Sequence, residues 1–161
     1  MTLAVYPGSF DPVTLGHLDL VRRARRIFGS VVVAVLDNAS KRHTFGLEER
    51  VAMVRAATRG MKGVSVDTFS GLLADYMKAK RARVLIRGVR VVSDMDYEFQ
   101  LAFFNRRLGP NVETVFLMPD EKYTYLASSM VKEVARLGAP VDSFVTPMVA
   151  RRLRQKFQGR A

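Results

Sequence analysis

The sequence predicts an α/β fold: a doubly wound, five-stranded parallel sheet with helices on both faces. Three observations carry that prediction. Apolar runs of strand length alternate about five times with segments of helical spacing. Runs such as Val31-Val32-Val33-Ala34-Val35-Leu36 are continuous, the pattern of a strand buried on both faces. Turn residues able to do chemistry gather after these runs, at the carboxyl ends where open α/β sheets bind ligands. With no internal repeat, low-complexity tract or linker, residues 1–161 read as one domain, long enough to bury a core.

The first strand is the run Leu3-Ala4-Val5, and residues 18–28 form an amphipathic helix. Leu20, Val21, Ala24, Ile27 and Phe28 make its apolar side, opposite Arg22, Arg23, Arg25 and Arg26. Between strand and helix, Tyr6-Pro7-Gly8-Ser9-Phe10-Asp11-Pro12-Val13-Thr14-Leu15-Gly16-His17 reads as the first strand-to-helix turn. Gly8 and Gly16 leave room for a ligand near the backbone, Ser9, Thr14 and His17 offer polar contacts, and the helix N-terminus favours an anion. Pro-Gly and Asp-Pro alone would make only a tight loop. His17 points beyond that, because a core histidine would be expected among apolar neighbours, not behind a glycine at a helix entrance.

The second strand, 30–36, leads into a loop over 37–46 carrying Lys41, Arg42 and His43, which is either a solvated turn or an anion contact. His43 receives no role. A helix over 47–58 follows, with Val51, Val54 and Ala57 in register and Glu48 and Glu49 in its first turn. Val64-Ser65-Val66 is the third strand, and Ser70 is expected to cap a helix over 71–79. Val84-Leu85-Ile86 is the fourth and runs into Arg87-Gly88-Val89-Arg90, whose guanidinium forks match phosphate oxygens unless they are merely exposed. Ser93, with Asp96 three residues on, is expected to cap a long helix with a stripe of Tyr97, Leu101 and Phe104. The fifth strand, 112–118, ends at Pro119-Asp120-Glu121. Beyond the loop 122–126, Ala127-Ser128-Ser129 precedes a helix from Met130; the serines either cap it or present hydroxyl and N–H groups to a phosphate, with Lys132 a turn further in. Thr146-Pro147 opens a last helix, expected to pack over the sheet with Arg151, Arg152, Arg154 and Lys156 outside.

The chain has no cysteine, so disulfide, thiolate and zinc-finger chemistry are excluded. No basic leader or membrane-length apolar run is evident, so a soluble cytoplasmic protein is expected. A net charge of +11 attracts polyanions without choosing among them. The expected sheet edge collects His17, Lys41, Arg87, Arg90 and Lys132, without a nucleophile that has its own base. Asp11 and Glu98 are not spaced to hold a metal by themselves. Such a site stabilises negative charge and leaves covalent chemistry to its substrates, which fits phosphoryl or nucleotidyl transfer. There is no P-loop motif, and no G-x-G-x-x-G follows the first strand.

Four elements together resemble the bacterial phosphopantetheine adenylyltransferases: Tyr6-Pro7-Gly8-Ser9-Phe10-Asp11-Pro12 with Thr14-x-Gly16-His17, then Leu85-Ile86-Arg87-Gly88-Val89-Arg90, then Asp94-x-x-Tyr97-Glu98-x-Gln100, then Ser128-Ser129-x-Val131-Lys132-Glu133-Val134. The T-x-G-H element alone marks only the wider nucleotidyltransferase superfamily with its Rossmann-like fold. The resemblance implies transfer of AMP from ATP to 4′-phosphopantetheine, giving dephospho-CoA and pyrophosphate. It implies that His17, Lys41 and Arg90 are catalytic, His17 donating to the α-phosphate. Ser9, Phe10, His17, Gly88, Val89, Arg90, Glu98, Tyr123, Thr124, Tyr125, Leu126, Ala127, Ser128 and Ser129 would bind ATP. Ser9, Lys41, Leu73 and Arg87 would hold the acceptor. Mg2+ carried mainly by ATP oxygens and water, and a homohexamer, are implied in the same way; no membrane and no specific nucleic acid are expected. Ala127 departs from the family's three serines, and Tyr123 stands where some relatives have tryptophan. The alternatives are a sister nucleotidyltransferase with another phosphorylated acceptor and, from the charge, a nucleic-acid-binding module.

Overall fold

The structure, a computed structural model, describes residues 2–38, 40–90 and 92–159, and the side chains of these apart from 92–94. Its parallel strands are β1 (Thr2–Gly8), β2 (Gly29–Leu36), β3 (Val64–Phe69), β4 (Val84–Gly88) and β5 (Glu113–Leu117), arranged β3-β2-β1-β4-β5. The helices are α1 (Leu15–Phe28), α2 (Leu47–Ala57), α3 (Leu73–Ala79), α4 (Val92–Leu108), α5 (Ser128–Arg136) and α6 (Pro147–Phe157), with a short 3-10 turn at Glu121–Tyr123. Ala4 and Val5 of β1 pair with Val31 and Val32 of β2 on one side and with Val84 and Leu85 of β4 on the other. The sheet is thus wound outward from β1, and the carboxyl ends of β1 and β4 flank the switch-point crevice.

Residues of the central strands divide between the faces with period two. Ala4, Tyr6, Val31, Val33, Val35 and Ile86 join a core cluster with Leu18 and Val21 of α1, Val54 of α2, Val131 of α5 and Leu153 of α6. Val5, Val32, Ala34 and Leu85 join a second cluster with Met77 of α3, Ala82 and Val112. Both faces are dry, which is why these strands read as unbroken apolar runs.

Several expectations are corrected. β1 continues through Tyr6, Pro7 and Gly8, and β4 includes Arg87 and Gly88, so the strands themselves carry these residues to the crevice. Ser70 does not cap α3: Gly71 has φ +76°, which breaks the helical path, and the helix starts at Leu73. α5 starts at Ser128 with Ala127 in the capping position, so both serines lie in its first turn. α4 begins at Val92, one residue before the expected cap Ser93, whose side chain lies outside the described ones. Ile27 faces solvent at the C-terminal end of the α1 stripe. Tyr97 and Phe104 of the α4 stripe are also exposed, because α4 packs chiefly on the edge strand β5 and on α3. α6 gives Val149, Ala150 and Leu153 to the first cluster, but its helix neighbours are α5 and α2, so it packs beside them more than over the strands. Among the described residues no helix is long and apolar enough to cross a membrane.

Candidate active site

Thr14 leaves the helical region (φ −118°, ψ 168°) and caps α1. Its backbone N–H donates to His17 Nδ1 at 3.0 Å, and the His17 N–H reaches Thr14 Oγ1 at 3.4 Å, a capping box closed by an imidazole. A ring nitrogen that accepts an N–H carries no proton itself, so neutral His17 bears its proton on Nε2. Burial, reinforced by the nearby Arg90 guanidinium, lowers the His17 pKa to about 4. Near neutral pH the ring is therefore an uncharged N–H donor. Phe10 packs edge-on against it with centroids 5.1 Å apart, its own backbone held in the left-handed region at φ 48°.

On the other side of the switch point, Arg87 makes a bidentate pair with Glu98 of α4, Nε to Oε2 and Nη2 to Oε1 both at 2.6 Å. Burial works against the charge on Arg87, and Glu98 outweighs it, raising the guanidinium pKa. Glu98 thus spends both oxygens on orienting an arginine. Gly88 lets β4 approach α1 closely, since a Cβ there would run into the Leu20 side chain and oblige it to shift. Arg90 donates from Nη1 to the Leu126 carbonyl at 3.2 Å, linking the β4 turn to the segment before α5.

Asp11 organises the third wall. Its carboxylate accepts the N–H groups of Thr44 and Phe45, each at 2.9 Å, and the Nζ of Lys132 at 3.0 Å. Burial alone would raise its pKa, but these three donors prevail and hold it below the usual value. His43 Nδ1 lies 3.8 Å from the same carboxylate, and its Nε2 is buried without a hydrogen-bond partner. Burial first, and the Arg50 charge second, push His43 toward its neutral form.

These walls enclose a cleft of about 460 Å³. Of the residues expected at the site, Ser9, Phe10, His17, Lys41, Arg87, Gly88, Arg90, Tyr123, Leu126, Ala127, Ser128 and Ser129 line it, and so does Lys132. Five do not. Val89 is buried with its N–H on the Leu117 carbonyl, Glu98 is behind Arg87, and the Thr124 N–H returns to Glu121. Tyr125 projects into solvent at 86% exposure. Leu73 packs with the core cluster on the opposite face of the sheet. The Ser128 hydroxyl donates to the Pro12 carbonyl at 2.8 Å, so it braces the first turn. Sequence reasoning missed Asp11 as an anchor, His43 as a lining residue, and Arg50. Asp-Pro reads as a turn former, and Arg50 reads as one more exposed helix charge, so no local signal separates them from ordinary loop and surface residues.

Comparison with known proteins fits this geometry. The cytidylyltransferase-like family profile matches residues 5–134. The phosphopantetheine adenylyltransferase of Caldanaerobacter subterraneus subsp. tengcongensis is 48% identical over 158 residues, covering 98% of this chain and 99% of that protein. The phosphopantetheine adenylyltransferase of Nitrosomonas eutropha is 52% identical over 156 residues, covering 97% and 95%. The chain belongs to the phosphopantetheine adenylyltransferase family. A solved Vibrio parahaemolyticus structure described as a nicotinate-nucleotide adenylyltransferase superposes with a TM-score of 0.70 over 100% of this chain and 98% of its own, at 14% identity, and supports the fold alone. As a member of the phosphopantetheine adenylyltransferase family the chain is a nucleotidyltransferase, an enzyme class whose phosphate-rich substrates match a cleft lined by Lys41, Arg87, Arg90 and Lys132.

Proposed function

We propose that the chain transfers the adenylyl group of ATP to 4′-phosphopantetheine, releasing pyrophosphate and forming dephospho-CoA. The observation that carries this reading is the His17 ring, its Nδ1 taken by the Thr14 N–H and its Nε2–H free to donate, in a cleft also lined by the cations Lys41, Arg87, Arg90 and Lys132. A phosphate-monoester oxygen of the acceptor attacks the α-phosphorus of ATP, a new P–O bond forms, and the bond to the pyrophosphate leaving group breaks. The acceptor phosphate is already largely ionised near pH 7, so no protein base is required. Charge builds on the α-phosphate oxygens, where the His17 Nε2–H donates, with Arg90 and Lys41 adding positive potential. Ser9, Phe10, Gly88, Tyr123, Leu126 and the α5 N-terminus from Ala127 to Ser129 frame the nucleotide in this proposal. Ser9, Lys41 and Arg87 face the acceptor. Glu98, Val89, Thr124, Tyr125 and Leu73 act from behind the cleft or outside it.

Mg2+ belongs to the proposal as an ion carried on the ATP phosphates. Asp11 is already held by two backbone N–H groups and Lys132, which fits a metal bound by nucleotide oxygens and water, whose chemistry would be to neutralise phosphate charge. The homohexamer that the resemblance implies is also proposed; in its support α4 leaves Tyr97, Phe103, Phe104 and Leu108 each more than half exposed, an apolar face that another copy would cover. Light scattering should then give six times the 18.1 kDa chain mass, and a monomer would contradict it. A cysteine-free chain suits the reducing cytoplasm proposed for it. The reaction is tested by phosphorus NMR of the products of ATP, Mg2+ and 4′-phosphopantetheine. A new diphosphate diester together with free pyrophosphate is expected; ADP and inorganic phosphate would contradict it.

A further inference from the structure

The geometry points to Arg50 as a positioning residue that sets the reach of Lys41 by clamping both roots of the 37–46 loop to the end of β1. Arg50 sits in α2 with only 1% of its surface exposed. Its Nη1 donates to the carbonyls of Ser9 at 2.8 Å and Leu36 at 2.9 Å, and its Nε donates to the carbonyl of Phe45 at 3.1 Å. Leu36 is the last residue of β2, where the loop departs, and Phe45 is where it returns to α2. One guanidinium therefore holds the loop's departure, its return and the first residue beyond β1 together. The opposite side of the return is held by Asp11, which takes the Phe45 and Thr44 N–H groups. The Phe45 residue is thus gripped at its N–H by a carboxylate and at its carbonyl by a cation.

This is an expensive way to fill a core position. A buried cation bound to carbonyls is less favourable than an apolar side chain of similar volume, so packing alone does not account for it. What arginine adds is a rigid fork that fixes several acceptors relative to one another, which a flexible ammonium does not do. The acceptors fixed here are those that decide where Ser9 and Lys41 stand in the cleft.

The inference rests on the proposed contact between Lys41 and the acceptor phosphate, and the test separates the two. Steady-state kinetics with ATP and 4′-phosphopantetheine are measured for Lys41→Ala, Arg50→Lys and the double variant, with thermal unfolding in parallel. Lys41→Ala should raise the acceptor KM about tenfold. Arg50→Lys should raise it by a comparable factor while the ATP KM moves less than about twofold, and the double variant should be no worse than the poorer single, because coupled residues are not additive. Factors that multiply in the double variant would overturn the role of Arg50 and leave that of Lys41 standing. An unchanged acceptor KM in Lys41→Ala would overturn the Lys41 contact, and the Arg50 inference with it. A purely structural Arg50 would lower the unfolding temperature and active fraction without altering either KM, which would also overturn the inference. If Arg50→Lys does not fold, the same cycle is run with Arg50→Gln, which keeps one N–H donor among the same carbonyls, and the same outcomes decide.

Discussion

Thr14 and His17 cap one another across the first turn of α1: the Thr14 N–H donates to Nδ1 at 3.0 Å while Thr14 Oγ1 receives the His17 N–H at 3.4 Å. The helix start and the tautomer of the imidazole are therefore one structural feature. Because the folded pKa is about 4, against 6.5 for an ordinary histidine, His17 should not titrate between pH 5.5 and 8. Its ring proton shifts in NMR should stay flat there, and a midpoint near 6.5 would contradict the assignment. The sign for stability follows. Below pH 6.5 the unfolded chain binds a proton that the folded chain refuses, so the His17 contribution falls as pH drops from 6.5 toward 4 and rises again in the other direction.

Replacing the imidazole removes one transition-state donor without removing the cap residue itself. His17→Ala should keep the circular dichroism of the parent and lower kcat by about 10²–10³. Activity within a factor of two of the parent would rule His17 out as the donor.

Asp11 links the first turn to the basic loop and to α5. Its depressed pKa gives stability that is present above the ordinary carboxyl value of 3.8 and is lost as pH falls through the lower folded value. Asp11→Ala leaves two N–H groups and Lys132 without their acceptor, and should destabilise the fold by about 3 kcal/mol at pH 7. Urea unfolding as a function of pH checks both statements: the variant should start lower and show a shallower loss as pH falls below 3.8.

At α5 the capping position is occupied by Ala127, which offers no side-chain acceptor to the first-turn N–H groups. Ala127→Ser supplies one and should stabilise by about 1 kcal/mol, raising Tm by roughly 2–4 °C. The same hydroxyl would compete with a ligand phosphate for those N–H groups, so a small rise in the ATP KM is expected alongside the higher Tm. A lower Tm would mean that the cap geometry is not free to accept the serine.

Much of the fold was legible because burial on both faces leaves an unmistakable trace in β2, whose Val31 to Val35 stretch alternates between two dry clusters. His17 was legible because its neighbours Gly16 and Thr14 fix it at a helix entrance within a few residues. Arg50 was not, since its partners Ser9 and Leu36 lie 41 and 14 residues away and an arginine in a helix reads as solvated. Leu73 packs with the second core cluster and does not line the cleft, a placement that family position alone does not reveal. The Ser70 cap failed on one backbone angle, φ +76° at Gly71, which composition does not reveal.

The most direct measurement of the central claim is pyrophosphate release from ATP and Mg2+, with and without 4′-phosphopantetheine. Release that appears only with the acceptor, and is lost in His17→Ala, is the predicted result. Release that proceeds equally without it, or none at all while ATP still binds, would contradict the assigned acceptor.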